Sequence, residues 1–149
     1  MTSGAEAPLA GTTFAVADPL VTLVGADTVL HNLNKGTQHI IDARGAPRFR
    51  GEVEPIDPVA GHIPGALNRV FSSNLGPDGL FKPAAVLRAE FEALLAGRNP
   101  AQVVHHCGSG VSAVPNILAM EIAGLGRTAL FAGSWSEWCS DPARPVAQG

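Results

Sequence analysis

Basic residues are few in this chain. It carries two lysines and eight arginines in 149 residues, for a formal net charge of −3. No basic block exists, so nothing favours nucleic acid or an anionic membrane as a partner. Cysteine is equally sparse. Cys107 and Cys139 are the only two, too few for a disulfide framework, so reduced thiols and a cytoplasmic location are expected. Long apolar runs are missing as well; none approaches the ~20 residues needed to span a bilayer. Met1 to Ala10 lacks both a basic residue and an apolar core, so it does not read as a secretory signal. What remains is 46% hydrophobic and 15% charged, a balance that suits one soluble domain with a real core and argues against disorder.

Along the chain, residues 1–16 read as an N-terminal tail or linker remnant and residues 17–149 as one folded unit. Phe14 to Val24 is a lead-in segment or edge strand. Gly25 to Lys35 is expected to be helical, with Asp27 as its N-cap and Val29, Leu30 and Leu33 on one face. His39-Ile40-Ile41 is a short buried strand ending at Asp42. Ala43 to Pro64 has little periodicity and carries Pro47, Pro55, Pro58 and Pro64; it is expected to be a long structured loop, and such loops are usually functional. Leu67 to Phe71 is a short strand and Pro77-Asp78-Gly79 a turn. Pro83 to Gly97 is the clearest helix, with Pro83 at its first position and Val86, Leu87, Phe91, Leu94 and Leu95 at helical spacing. Gln102 to His106 is a strand, Ala113 to Ala123 a helix, Thr128 to Phe131 a strand and Gly133 to Cys139 a helical turn. Strands alternating with helices predict an α/β fold, a central parallel sheet with helices on both faces. Ligands of such folds bind at the carboxyl ends of the strands, where Asp42 and Cys107 both fall.

The segment Val103-Val104-His105-His106-Cys107-Gly108-Ser109-Gly110-Val111-Ser112-Ala113 concentrates the chemistry. It reads as strand, cysteine, tight polar loop and helix start. Two glycines permit unusual backbone angles, so successive amides of Gly108, Ser109, Gly110, Val111 and Ser112 are expected to form an anion cradle. Ser109 and Ser112 add hydroxyl donors. Amides and helix dipole both favour thiolate over thiol, and the thiolate is the nucleophile. Cysteine phosphatases and arsenate reductases of the Cys-x5-Arg type need an arginine at the end of such a loop to clamp the oxyanion. That position is Ala113 here, which ranks phosphoryl transfer below sulfur transfer.

At this point the residues resemble a known family. Asp42-Ala43-Arg44, Arg48-Phe49-Arg50-Gly51, Gly61-His62-Ile63-Pro64-Gly65-Ala66, Cys107-Gly108-Ser109-Gly110-Val111-Ser112 and Gly133-Ser134-Trp135-Ser136-Glu137-Trp138 look like the C-terminal, catalytic domain of two-domain rhodaneses. The resemblance extends from about Ala17 to Gly149. The cysteine loop is similar to that of 3-mercaptopyruvate sulfurtransferases. The resemblance implies a rhodanese-like domain that moves sulfur from thiosulfate or 3-mercaptopyruvate to cyanide or a thiol through a Cys107 persulfide, with no metal or organic cofactor. It implies that Arg48 binds the donor's anionic end and that Ser109 matches a serine beside the cysteine. Three departures stand out, one being that His105-His106 precede the cysteine where apolar residues are usual in the family. The mercaptopyruvate enzymes carry a second substrate arginine where this chain has Asp57, and the family's other half is not in this sequence. The alternative reading is therefore a partner-dependent or non-catalytic module for sulfur carriage or protein binding, paired with a second rhodanese domain or another copy of itself.

The remaining residues have plainer expected roles. Arg48 could instead pair with Glu52 or Glu54, Arg44 is expected to brace its loop, Asp42 to pair with Arg44, and His62 to serve a turn. His105 and His106 alternate faces of one strand, so one could lie near the sulfur. Trp135 and Trp138 could wall the site or fill the core. Cys139 could resolve a persulfide or stand by.

Overall fold

The computed structural model describes residues 11, 13 and 15–149; most of the expected tail, 1–16, lies outside the described residues. Five strands form one sheet in the order β1-β5-β4-β2-β3, every pairing parallel. They are β1 (Thr22–Val24), β2 (His39–Asp42), β3 (Leu67–Asn68), β4 (Val103–His106) and β5 (Ala129–Phe131). The helices are α1 (Ala26–Asn32), α2 (Ala46–Arg50), α3 (Ala84–Leu95), α4 (Val114–Ile122) and α5 (Ser134–Ser140), with 3-10 turns at Phe71–Asn74 and Pro100–Gln102. The central strand β4 is buried along its whole length, as parallel strands covered on both faces must be.

Alternation along the strands divides the core in two. Ile40, Val104 and Phe131 face α1 and α5, where they meet Val29, Trp135 and Trp138. Ile41 and Val103 face α3 and α4, where they meet Leu87, Phe91, Leu95, Ala119 and Met120. Burying each of the larger side chains stabilises the fold by roughly 1.5–3 kcal/mol. The same alternation sends His105 to the α4 side and His106 to the α5 side.

Several local expectations change. The N-cap of α1 is Gly25, and Asp27 sits inside the first turn, where its charge favours the positive end of the helix. Pro83 caps α3 from outside rather than opening it. The stretch 43–64 is not all loop: it contains α2, which closes on Gly51 with φ +79°. Five residues with a proline in the first turn leave too little periodicity to read. The C-terminal residues return to this segment, with His62 and Ala147 exchanging backbone hydrogen bonds at 2.8 and 2.9 Å.

Candidate active site

Strands β2 and β4 pair in register, with Asp42 opposite His106, so both end at the same edge of the sheet. The Ala43 amide donates to the His106 carbonyl at 2.8 Å and keeps the two chains together for one more step. Arg44 and Cys107 then leave side by side. Cys107 is 3% exposed and lines a cavity of about 250 Å³ together with Arg44, Arg48, Asp57, Phe71, Gly108, Ser109, Ser112 and Ser136.

The loop after Cys107 is anchored through its carbonyls. The amides of Trp135 and Ser136, at the start of α5, donate to the carbonyls of Cys107 and Gly108, each at 3.0 Å. A planar peptide points its N–H opposite its C=O, so the amides of Gly108 and Ser109 face away from α5. Among the described residues, none of the amides from Gly108 to Ser112 has a hydrogen-bond acceptor. The amides named for the expected cradle are thus free donors, and none of them closes on the Cys107 sulfur. Gly108, Gly110 and Ser112 are half-buried and Ser109 and Val111 exposed, so these donors are open to water or to an incoming anion. Gly110 holds the loop in shape: its φ is +87°, and a Cβ there would collide with the Ala132 carbonyl. Ala113, where a Cys-x5-Arg enzyme would place its arginine, is fully buried.

The two arginines have different duties. Arg44 is 4% exposed and is consumed by structure, as expected. Its Nε and Nη2 donate to Asp42 at 3.0 and 2.7 Å, Nη2 also donates to the Gly61 carbonyl at 2.6 Å, and its guanidinium lies over the Trp135 ring at 4.5 Å. Arg48 reaches the cavity, its side chain 20% exposed. Its Nε and Nη2 donate to Glu54 at 3.1 and 2.6 Å, and Nη2 also reaches Asp57 at 3.2 Å. Its Nη1 lies against Gly108, so close that a Cβ on that glycine would sit 3.5 Å away. Arg48 thus pairs with Glu54, not Glu52, and turns its Nη1 edge toward the cysteine loop. Glu52 pairs with Arg50 instead.

Glu54 organises this side of the site. Burial pushes its carboxyl up, but Arg48 and the amides of Asp57 and Ile56 outweigh that and hold it below the usual carboxylate range. Asp57 accepts from Ser136 Oγ at 2.7 Å. The sequence marks Asp57 only as a departure and Glu54 only as a possible partner of Arg48, and it gives no role to the hydroxyls of Ser134 and Ser136. The available signal was the start of a helix directly after β5, where serine hydroxyls approach the same sheet edge.

The histidines lie elsewhere. His105 is fully buried with its Nε2 3.2 Å from the Met120 sulfur, and burial, with the neighbouring His106, lowers its pKa to about 3. His106 donates from Nδ1 to the Cys107 carbonyl at 3.1 Å, while its Nε2 stands 3.5 Å from Asp42 Oδ2. Burial lowers its pKa too, with Asp42 opposing. Neither lines the cavity. His62 stacks on Phe49 with ring centroids 3.9 Å apart and donates to the Phe49 carbonyl at 2.8 Å, an architectural role. Trp135 and Trp138 are core residues whose indole N–H groups donate to the carbonyls of Val59 and Pro145. Burial pushes the Cys139 thiol up, and it is not among the cavity-lining residues. Among the described residues, no cluster of three or more His, Cys, Asp or Glu side chains is placed to hold a metal, and no helix is long and apolar enough to cross a membrane.

Comparisons with known proteins agree with this geometry. The family model described as a rhodanese-like domain matches residues 25–141. A Pseudomonas aeruginosa protein named as a probable 3-mercaptopyruvate sulfurtransferase is 54% identical over 127 residues, covering 85% of this chain and 45% of the relative. A Mycobacterium tuberculosis protein, provisionally named a thiosulfate sulfurtransferase, is 40% identical over 150 residues, covering 99% of this chain and 51% of the relative. A solved structure from Saccharomyces cerevisiae superposes with a TM-score of 0.71 at 29% identity, covering 85% of this chain and 46% of that one. The chain thus spans about half the length of the relatives it matches.

Proposed function

The chain belongs to the rhodanese-like domain family, and on that premise we propose that it is a sulfurtransferase with Cys107 as nucleophile and persulfide carrier, folded over residues 17–149. The observation that carries this reading is Cys107 at the cavity wall, between the acceptor-free amides of Gly108 to Ser112 and the free edge of Arg48. With thiosulfate, the Cys107 thiolate attacks the outer sulfur, a new S–S bond forms, and sulfite leaves with the electron pair of the old one. With 3-mercaptopyruvate the C–S bond breaks, and the leaving enolate takes up the thiol's proton to become pyruvate. The terminal persulfide anion is then stabilised by the acceptor-free loop amides. Cyanide or a thiolate attacks that outer sulfur and regenerates the Cys107 thiolate. Arg48, Gly108, Ser109, Gly110, Val111 and Ser112 form the donor-binding wall.

A second reading also has an observation behind it. Ile56 and Phe71 line the same cavity, yet they are 74% and 40% exposed. Apolar groups left open at a cavity mouth suit closure by another surface, so sulfur carriage that depends on a partner domain or a second copy is the alternative. Intact mass after thiosulfate or 3-mercaptopyruvate, then after cyanide, tests both. The sulfurtransferase gains one cyanide-labile sulfur on wild type and none on Cys107→Ser. No gain from either donor in a folded, reduced sample overturns independent activity and leaves the partner-dependent module.

A further inference from the structure

Two guanidiniums and three carboxylates meet beside Cys107. Arg44 is paired with Asp42, and Arg48 is shared between Glu54 and Asp57, whose side chains are only 4% and 7% exposed. Arg48 is the cation nearest the cysteine loop, and only its Nη1 edge is without a carboxylate. Glu54 is also a scaffold, since it accepts from Arg44, Arg48 and the amides of Ile56 and Asp57. Asp57 is different. It lines the cavity itself, and its carboxylate holds Arg48 from one side and receives Ser136 from the other. An anion drawn to Arg48 therefore meets the Asp57 charge at close range, in a recess where water screens it poorly.

Resting on the sulfurtransferase reading for its substrate, we propose that Asp57 is the specificity-determining residue of this pocket: by neutralising Arg48 it selects sulfur carriers of low negative charge over multiply charged oxyanions. It acts on the donor through Arg48 and through its own field, and takes no part in bond making.

Charge selectivity at Cys107 is measurable without any sulfur transfer. Iodoacetate and iodoacetamide alkylate a thiolate by the same displacement, forming an S–C bond and releasing iodide, and differ in charge. Asp57→Asn keeps the shape and an acceptor for Ser136 while removing the charge. The expected result is a rise of about tenfold in the iodoacetate-to-iodoacetamide rate ratio at Cys107, followed by peptide mapping. Asp57→Ala gives a rise of the same sign. In thiocyanate assays the KM for thiosulfate falls by a similar factor in Asp57→Asn with little change in kcat. An unmoved or lowered alkylation ratio overturns the proposal, even if thiocyanate forms. A raised ratio with no thiocyanate from any variant supports the proposal and removes the sulfurtransferase reading instead. Loss of the cooperative unfolding transition in both variants assigns Asp57 to the scaffold and overturns it.

Discussion

The amide of Cys107 donates to Ser134 Oγ at 3.1 Å, across 27 positions of sequence. The same hydroxyl donates to the Phe131 carbonyl at 3.0 Å, so one side chain ties the Cys107 backbone to the end of β5. Ser134 adopts φ 55° to do so, a left-handed conformation that costs a non-glycine residue about 1–3 kcal/mol. The strain persists because the bonds from Trp135 and Ser136 to the cysteine loop depend on that same turn.

Ser134→Ala is expected to leave the buried Cys107 amide without an acceptor. The cost is roughly 1–3 kcal/mol, or a fall in Tm of a few degrees for a chain of this size. Sulfur loading of Cys107 slows as its loop loosens. Thermal unfolding beside a cyanide-release assay checks both; an unchanged Tm would mean that the hydroxyl is replaceable by water.

Gly110→Ala combines a left-handed backbone with a collision against the Ala132 carbonyl. The loop has to move, and with it the amides of Gly108 to Ser112. Thiocyanate formation is predicted to drop by about tenfold or more, with a stability loss of about 1–3 kcal/mol. Retained activity in a folded variant contradicts the amide cradle.

Removing Arg48 takes away the cation facing the loop, leaves Asp57 without its guanidinium partner and leaves Glu54 with Arg44 alone. Arg48→Ala should raise KM for anionic donors by about 10- to 100-fold, the range expected for one charge-assisted contact of roughly 1.5–3 kcal/mol. Steady-state kinetics with thiosulfate measures it. A kcat loss at constant KM would instead place Arg48 at the leaving group.

The buried histidines predict acid sensitivity. His105 is neutral when folded, its pKa lowered from 6.5 to about 3, and the His106 pKa is lowered as well. The unfolded chain takes up protons below its ordinary histidine pKa, so the His105 contribution is complete above about pH 6.5 and is lost as the pH falls toward 3, and His106 acts in the same direction. His105 adds a slope approaching 1.4 kcal/mol per pH unit in that window. His105→Leu should flatten the urea-midpoint profile between about pH 6 and 4 by one proton's worth. An unaltered profile would show that His105 titrates normally in the folded protein.

Much of the molecule is legible along the chain. Val86, Leu87, Phe91, Leu94 and Leu95 announce α3 because an amphipathic helix buries every third or fourth residue. The alternation of apolar strands with helices fixes a parallel sheet, and a cysteine directly after a strand must then emerge at its carboxyl edge. The glycines at 108 and 110 mark a tight loop, and at Gly110 the backbone takes φ +87° against the Ala132 carbonyl. Helix α2 was hidden because its five residues hold a proline and no apolar period.

The sequence by itself determined the fold class and the place of Cys107 and its glycine loop at the carboxyl edge of the sheet, since each depends on local periodicity or on residues adjacent in the chain. Only the tertiary structure decided what surrounds them. Ser134 reaches Cys107 from the far side of α4 and β5, and Ser136 reaches Asp57 across 79 positions. His105 and His106 went into the core instead of the cavity because strand alternation turns them to the two covered faces. Arg48 acquired two carboxylates because the chain between Gly51 and Val59 folds back over it, and that is a matter of loop closure and charge pairing which no spacing in the sequence encodes.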